Sequence, residues 1–193
     1  MENFVEKVEA YLKENGGRTG ASKKSYPAIQ AAMKDNGAEA GRGELERGRM
    51  YAFRYFDAAH LPYDTWPVVI GLGLSNSKNQ LGINLHYIPY DTRVQFVDTF
   101  INSYKTSIIN ETLGGKANNV KKQSSINIVE YNQIKRSFGK MYNITYAIRE
   151  YRMDRIRNPI CLSYENWHLG TVNDENYFMK SNINEAQSNY FKK

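Results

Sequence analysis

The sequence predicts an α+β fold in which a small, bent antiparallel sheet is covered by a long helix, with extra helices near both termini. Two observations predict it: short apolar runs separated by polar turns between residues 48 and 85, and apolar residues at helical spacing between 91 and 112. The length of 193 residues and the hydrophobic fraction of 41% fit one domain with added helices or tails. A meander of three strands can curl into an SH3-like barrel or pack its open face under a helix.

Residues 1–47 predict an N-terminal helical arm. The spacing of apolar residues predicts a helix over residues 3–14, whose buried face carries Phe4, Val8 and Leu12. Two consecutive glycines end it, and the small polar residues 18–24 predict a flexible joint. A second helix is predicted to begin near Ser25, because Pro27 suits the first turn of a helix. We expect this arm to dock on the main domain or on another subunit, since it has little apolar surface of its own.

The main α+β domain is predicted over residues 48–172. Three strands joined by short loops are expected near residues 48–56, 66–72 and 80–85. Pro67 stands at the start of the second strand, where a missing N–H group is tolerated. The covering helix, residues 91–112, is predicted to begin with Asp91 as its N-cap and to end at a pair of glycines.

The later part of the main domain is predicted to contain a further helix or helix pair. Gly139 is expected to interrupt it, and Asn158-Pro159 to close it. The apolar residues 160–162 suit a strand that returns to the sheet, and a short helix or turn follows. Residues 173–193 are polar and predict a C-terminal arm that orders only on a partner.

Positive charge is concentrated in one segment of the chain. The formal net charge is +6, and residues 116–157 hold ten basic residues against three acidic ones. This asymmetry indicates a polyanion such as nucleic acid or an acidic subunit surface, although a solvated helix face would also explain it. If the segment is helical, Arg149, Arg152 and Arg155 lie on one side of the helix. We predict salt-sensitive contacts to the DNA backbone, without sequence preference, from Lys121, Lys122, Lys135, Arg136, Lys140, Arg149, Arg152, Arg155 and Arg157.

Motifs for catalysis or cofactor binding are not found in the sequence. The three histidines, His60, His86 and His168, lack the spacing of a zinc site, and His86 is expected to be structural. Cys161 lies in an apolar run and is expected to be a small buried hydrophobe. No nucleophile elbow, phosphate-binding loop or dinucleotide-binding motif is present, so we predict neither an enzyme nor a cofactor. No apolar run approaches the roughly 18 residues of a membrane span, so no membrane partner is expected.

Several sequence blocks carry a family resemblance. They are RMYAFRY at residues 49–55, LPYDTWPVVI at 61–70 and LGINLHYIP at 81–89 followed by Arg93, together with the later blocks AIREY, RIR and ENW at 147–151, 155–157 and 165–167. This pattern, over residues 48–170, resembles a family of small tailed-bacteriophage virion proteins that are sometimes labelled DNA end protectors. Trp66 and Val68 depart mildly from it. The alternation of Asn84 and His86 predicts hydrogen bonds to the loop at residues 61–64.

The resemblance implies a structural virion protein of a tailed phage, made in the host bacterial cytoplasm. It would sit at the portal, neck or tail as a head-tail connector component, assembling as a ring or in several copies with other virion proteins. Its basic face, residues 116–157, would meet the end of the packaged double-stranded DNA or an acidic neighbour. One alternative is a DNA end protector without an architectural role. Another is a small-barrel nuclease that depends on Arg54 or Asp64.

Overall fold

The computed structural model describes residues 3–35, 45–55, 64, 66–113 and 131–173. In chain order its elements are α1 (Phe4–Glu14), α2 (Gly17–Asp35), β1 (Met50–Tyr55), β2 (Val68–Leu74), β3 (Gln80–Asn84), α3 (Tyr90–Leu113), α4 (Tyr131–Tyr142), β4 (Ile148–Tyr151), β5 (Ile156–Leu162) and α5 (Trp167–Val172). Short 3₁₀ turns occupy Leu85–Tyr87, Thr145–Ala147, Met153–Arg155 and Tyr164–Asn166. None of the helices within the described ranges has the length and apolarity that a membrane span requires.

The strands form one antiparallel sheet in the order β4-β3-β2-β1-β5. The α+β prediction and the three predicted strands are confirmed, and the strand that returns at residues 160–162 is part of β5, paired with β1. The sheet is open and uncurled, so it does not form the SH3-like barrel that the meander also allowed. Pro67 directly precedes β2, where its missing N–H group costs no ladder hydrogen bond.

One face of the sheet is covered by helices. Helix α3 contributes four buried residues to the core on this side, namely Phe96, Val97, Phe100 and Ile101. Helix α5 lies directly against the strands, because a Cβ atom at Gly170 would overlap the side chains of Met50, Val68 and Leu162. Any larger residue at position 170 would therefore push α5 away from the sheet.

The opposite face of the sheet carries a smaller cluster, which we call the aromatic face. Its buried members are Leu45, Tyr51, Phe53, Tyr55, Val69, Tyr151 and Ile156. The rings of Tyr55 and Tyr151 lie 5.2 Å apart at 87°, although their strands β1 and β4 are not neighbours in the sheet. The backbone at Glu46 crosses this face above Gly71, where a Cβ atom would overlap the Glu46 carbonyl oxygen. Gly71 is therefore needed for close backbone approach.

The N-terminal helices differ in part from the prediction. Helix α1 is confirmed and is capped by Asn3, whose side chain accepts from Val5 N while Asn3 N donates to the Glu6 carboxylate. The flexible joint predicted at 18–24 and the helix start at Ser25 are wrong, because α2 begins at Gly17 and continues through Pro27. Its buried face has the helical spacing Ala21, Ser25, Ile29. Two of these residues are too small or too polar to be recognised from hydropathy.

The start of helix α3 also differs from the prediction. The helix is confirmed over the range 91–112, but Asp91 is not its N-cap. Arg93 N donates to Pro89 O, so Pro89 precedes the first helical residue, Tyr90. Asp91 lies in the first turn, where its negative charge stabilises the helix by interacting with the positive end of the helix dipole.

The segment predicted as a helix pair contains one helix and a strand. Helix α4 is not interrupted by Gly139 and ends at Tyr142. The helical spacing of Ile144, Ile148 and Tyr151 is misleading, because β4 forms here by pairing Ile148 with Ile83 of β3. Asn158-Pro159 lies inside β5 rather than closing a helix. An edge strand tolerates proline, and the register shifts opposite it, between Ala52 and Arg54.

Candidate nucleic-acid interface

The predicted basic residues lie on several elements rather than on one helix. Lys121 and Lys122 fall outside the described residues, and the others are distributed over α4 (Lys135, Arg136, Lys140), the strands β4 and β5 (Arg149, Arg157) and their connection (Arg152, Arg155). The predicted helical stripe of Arg149, Arg152 and Arg155 is wrong, because the first lies in a strand and the last ends a 3₁₀ turn. Four of these arginines nevertheless lie within a nine-residue stretch, from Arg149 to Arg157, that covers β4, its connection to β5 and the start of β5.

In the β4–β5 connection two arginines share one carboxylate. Arg152 donates to both oxygens of Asp154, at 3.1 and 2.8 Å, and Arg155 Nε lies 3.9 Å from Oδ2 of the same residue. The hydrogen bonds from Arg152 lower the pKa of Asp154 below its ordinary value. The turn therefore presents two guanidinium groups around a single carboxylate, in an exposed position.

Two exposed arginines lie directly opposite each other on neighbouring strands. Arg54 of β1 and Arg157 of β5 are cross-strand partners. The guanidinium carbon of Arg54 lies 5.7 Å from the ring centre of Trp66, and Arg157 Nη1 donates to Ile156 O. Like charges placed directly opposite each other on neighbouring strands are unfavourable. Arg54 is absent from the predicted DNA-binding set, since the pairing of β1 with β5 cannot be seen in local sequence.

A pocket of about 100 Å³ opens beside β4 on the aromatic face. It is lined by Tyr55, Asp64, Asn84, Tyr87, Arg149, Glu150 and Tyr151. The guanidinium carbon of Arg149 lies 5.2 Å from the ring centre of Tyr87, and burial raises the pKa of Tyr87 to about 12. The Tyr151 hydroxyl is fully buried, and no hydrogen bond of ordinary geometry reaches it from the described residues. A buried hydroxyl in this state costs about 1–3 kcal/mol.

A chain of buried hydrogen bonds runs from this pocket to the N-terminal helices. Asp64 Oδ2 lies 2.6 Å from His86 Nδ1 and accepts from Asn84 Nδ2 at 3.1 Å. His86 Nε2 lies 3.0 Å from Asn173 Oδ1, and Asn173 Nδ2 donates to Ser25 Oγ. The bonds predicted from Asn84 and His86 to the 61–64 loop are confirmed. The described residues contain no group of three or more potential metal ligands.

Arg93 makes the second buried polar centre, and it is only 1% exposed. Its Nε and Nη2 donate to Ile88 O at 3.2 and 3.0 Å, and its Nη1 donates to Thr171 O and Asn173 O at 3.1 and 2.9 Å. These carbonyls belong to the entry of α3 and the C-terminal end of α5, whose last carbonyls have no partner within the helix. One guanidinium group therefore joins α3 and α5 within the layer of helices that covers the sheet.

His168 gives the fold a testable dependence on pH. Burial lowers the pKa of His168 to about 4, with a smaller contribution from Lys7, while the bond to Glu165 O opposes the shift. The folded-state pKa lies below the ordinary value of 6.5. The contribution of neutral His168 to the free energy of unfolding is therefore fully present above pH 6.5 and is lost as the pH falls toward 4. We expect a loss on the order of 2 kcal/mol over this range. In urea unfolding at several pH values, His168→Asn should reduce this pH dependence. An unchanged pH profile would contradict the assignment.

Comparison with known proteins gives one match. The family model described as Phage T4 terminal DNA protecting protein matches residues 1–127. The match includes α1 and α2, which the sequence resemblance left outside, and it ends before α4. No curated protein and no solved structure matches the chain.

Proposed function

Because this chain belongs to the family of the Phage T4 terminal DNA protecting protein, we propose that it binds the ends of duplex DNA and shields them from nucleases. The family description names protection of DNA and not a reaction. It therefore favours the alternative of a DNA end protector over a purely architectural virion protein. A protector acts by occupying the strand ends, so it needs affinity for the DNA backbone and no catalytic group.

The observation that best supports DNA binding is the facing pair Arg54 and Arg157. Folding brings two positive charges together on exposed neighbouring strands, and Arg157 follows closely in sequence on the two arginines that surround Asp154. A phosphate backbone bound across this edge would accept charge-assisted hydrogen bonds from both guanidinium groups. The aromatic ring of Trp66 below Arg54, itself in edge contact with Tyr26, restricts the guanidinium group to this surface. We call Arg54, Arg152, Arg155 and Arg157 the arginine edge.

The salt dependence of binding tests the arginine edge. Each phosphate contact contributes about 0.9 to the slope of log K against log salt concentration. The double variant Arg54→Gln/Arg157→Gln should therefore lower that slope by about 1.8 on a blunt duplex, measured by fluorescence anisotropy. Its free energy of unfolding should stay within about 0.5 kcal/mol of the original, because both side chains are exposed.

The matched control for this experiment is Lys13→Gln/Lys23→Gln. Both lysines are exposed on α1 and α2, and the control removes the same net charge. We expect it to change the slope by less than half as much. If the two double variants weaken binding equally, the effect is one of net charge alone, and the arginine edge is not the contact surface.

A place in the particle is the second candidate function. A protector that stays on the DNA end after packaging would be carried at the portal, neck or tail, in contact with other virion proteins or with further copies of itself. Sheet edges give little support to ring assembly, since β4 has four residues and β5 carries Pro159 and a register shift. Native mass spectrometry and quantification of the protein in purified virions would test this candidate.

The nuclease alternative receives no support from Asp64. Its carboxylate is 2% exposed and is bound by three groups, Trp66 N, Asn84 Nδ2 and His86 Nδ1. These bonds occupy three of the roughly four acceptor sites of a carboxylate, as in a structural hydrogen-bond network. We therefore assign Asp64 a structural role.

A further inference from the structure

We propose that the pocket beside β4 binds the terminal phosphate monoester of a DNA strand, an inference that rests on the DNA-end binding proposed above. The arginine edge accounts for contacts along the backbone, but it does not distinguish an end from the middle of a duplex. The pocket is a separate feature on the aromatic face, and it contains donors suited to an anion.

Arg149 and Tyr151 can both donate to a phosphate in the pocket. Arg149 is exposed and extends over Tyr87, so its guanidinium N–H groups remain able to bind an anion with two parallel hydrogen bonds. Tyr151 is 5% exposed, and its hydroxyl is left without a partner of ordinary geometry in the described part of the chain. Burial, with a smaller contribution from the charge of Asp64, raises the pKa of Tyr151 well above the ordinary value, and Arg149 and Asn84 oppose this only partly. Tyr151 therefore remains a hydroxyl donor at neutral pH.

The two carboxylates in the lining are engaged elsewhere. Asp64 is held by its three donors in the buried chain that contains His86. Glu150 Oε1 accepts hydrogen bonds from Ser75 Oγ and from Asn79 Nδ2, so this oxygen is held at the turn between β2 and β3. The donors of Arg149 and Tyr151 are thus left to determine the chemistry of the pocket.

The size of the pocket selects a phosphate group rather than a base. A cavity of about 150 Å³ accepts benzene, and this pocket measures about 100 Å³. A nucleobase is larger than benzene and would not be enclosed by this pocket, whereas a phosphate group fits. A terminal phosphate has a sugar on one side only, and it carries a charge of about −1.5 to −2 at pH 7. Both properties favour it over a phosphate within a strand, which continues in two directions.

The test compares three blunt duplexes of one sequence, carrying 5′-phosphates, 3′-phosphates or no terminal phosphate, with the full chain at fixed salt. We expect one phosphorylated duplex to bind about tenfold more tightly than the unphosphorylated one, as for one added charged hydrogen-bonded contact. The ratio of these two affinities is the quantity that the variants and competitors are expected to change. Tyr151→Phe removes only the hydroxyl and should reduce this ratio to below about threefold, with unchanged affinity for the unphosphorylated duplex. Tyr51→Phe, the same change on the same face outside the pocket, should keep the ratio.

Two competitors distinguish the sources of phosphate. Inorganic phosphate at matched ionic strength should lower the ratio, because it can occupy the same pocket. Circular duplex should weaken binding of all three duplexes and leave the ratio unchanged. A ratio abolished by circular duplex would show that internal phosphates fill the pocket and would overturn the proposal.

The remaining outcomes separate this inference from the proposed function. Equal affinity for all three duplexes, or a ratio that Tyr151→Phe and Tyr51→Phe leave equally intact, overturns the terminal-phosphate site while DNA binding stands. No binding to any duplex at low salt overturns the DNA-binding function and this inference with it.

Discussion

Replacing Arg93 by methionine is expected to lower the free energy of unfolding by on the order of 4 kcal/mol. Methionine fills a similar volume but donates no hydrogen bonds, so Ile88 O, Thr171 O and Asn173 O lose the bonds from the guanidinium group. Each buried carbonyl left without a partner costs about 1–3 kcal/mol. Since a domain of this size is stable by about 5–15 kcal/mol, the loss is a large fraction of the total. Urea denaturation followed by circular dichroism measures it.

Two further variants establish the cause of that loss. Arg93→Lys keeps the charge but cannot reach three carbonyls with a planar fork, and we expect about half the effect of methionine. Arg18→Met removes an exposed arginine that lies 4.4 Å over the Tyr90 ring, and it should cost less than about 1 kcal/mol. A methionine variant at position 93 as stable as the Arg18 variant would contradict the role of Arg93.

The second large effect is expected at the buried pair Asp64 and His86. Asp64→Asn should lower the free energy of unfolding by about 3 kcal/mol, because both groups are 2% exposed and the imidazole loses its anionic acceptor. In the structure both ring nitrogens of His86 face oxygen atoms, Asp64 Oδ2 at 2.6 Å and Asn173 Oδ1 at 3.0 Å, so the ring is held from both sides. Denaturant unfolding of the variant measures the loss.

A double-mutant cycle tests whether these two residues act together. His86→Gln alone should also destabilise, but the double variant should cost less than the sum of the single variants by about 1–3 kcal/mol. The reason is that the double variant leaves no uncompensated charge inside the protein. Strict additivity would show that Asp64 and His86 contribute independently, and the pair would then not be a coupled unit.

Local periodicity predicted the elements whose partners are near in sequence. The strands β1 to β3 and the helices α1 and α3 have strong alternating or helical patterns, and they appear close to their predicted places. Strand β4 did not, because its apolar residues fit helical spacing equally well and its pairing with β3 joins Ile148 to Ile83 across α3 and α4. Helix α2 was shortened in the prediction because Ala21 and Ser25 carry little hydrophobic signal, although both are fully buried.

The basic residues of the candidate site could mostly be predicted from the sequence, but their arrangement in space could not. Charge counting located Arg149, Arg152, Arg155 and Arg157, and the structure places them around β4, β5 and their connection. Charge counting could not find Arg54, because Arg54 lies opposite Arg157 only through the pairing of β1 with β5. It also could not find the role of Arg93, since a buried arginine that binds carbonyls looks like a surface arginine in sequence. Both roles depend on contacts between residues distant in the chain.

Protection of linear blunt duplex from an exonuclease that starts at double-strand ends tests the central claim most directly. The assay uses DNA molecules of several lengths at one molar concentration of ends, and an internal restriction site reports whether the DNA is merely coated. We predict that half-protection requires the same amount of protein at every length, with the internal site still cut. Absence of protection, or a requirement that grows in proportion to length, would contradict the binding of DNA ends.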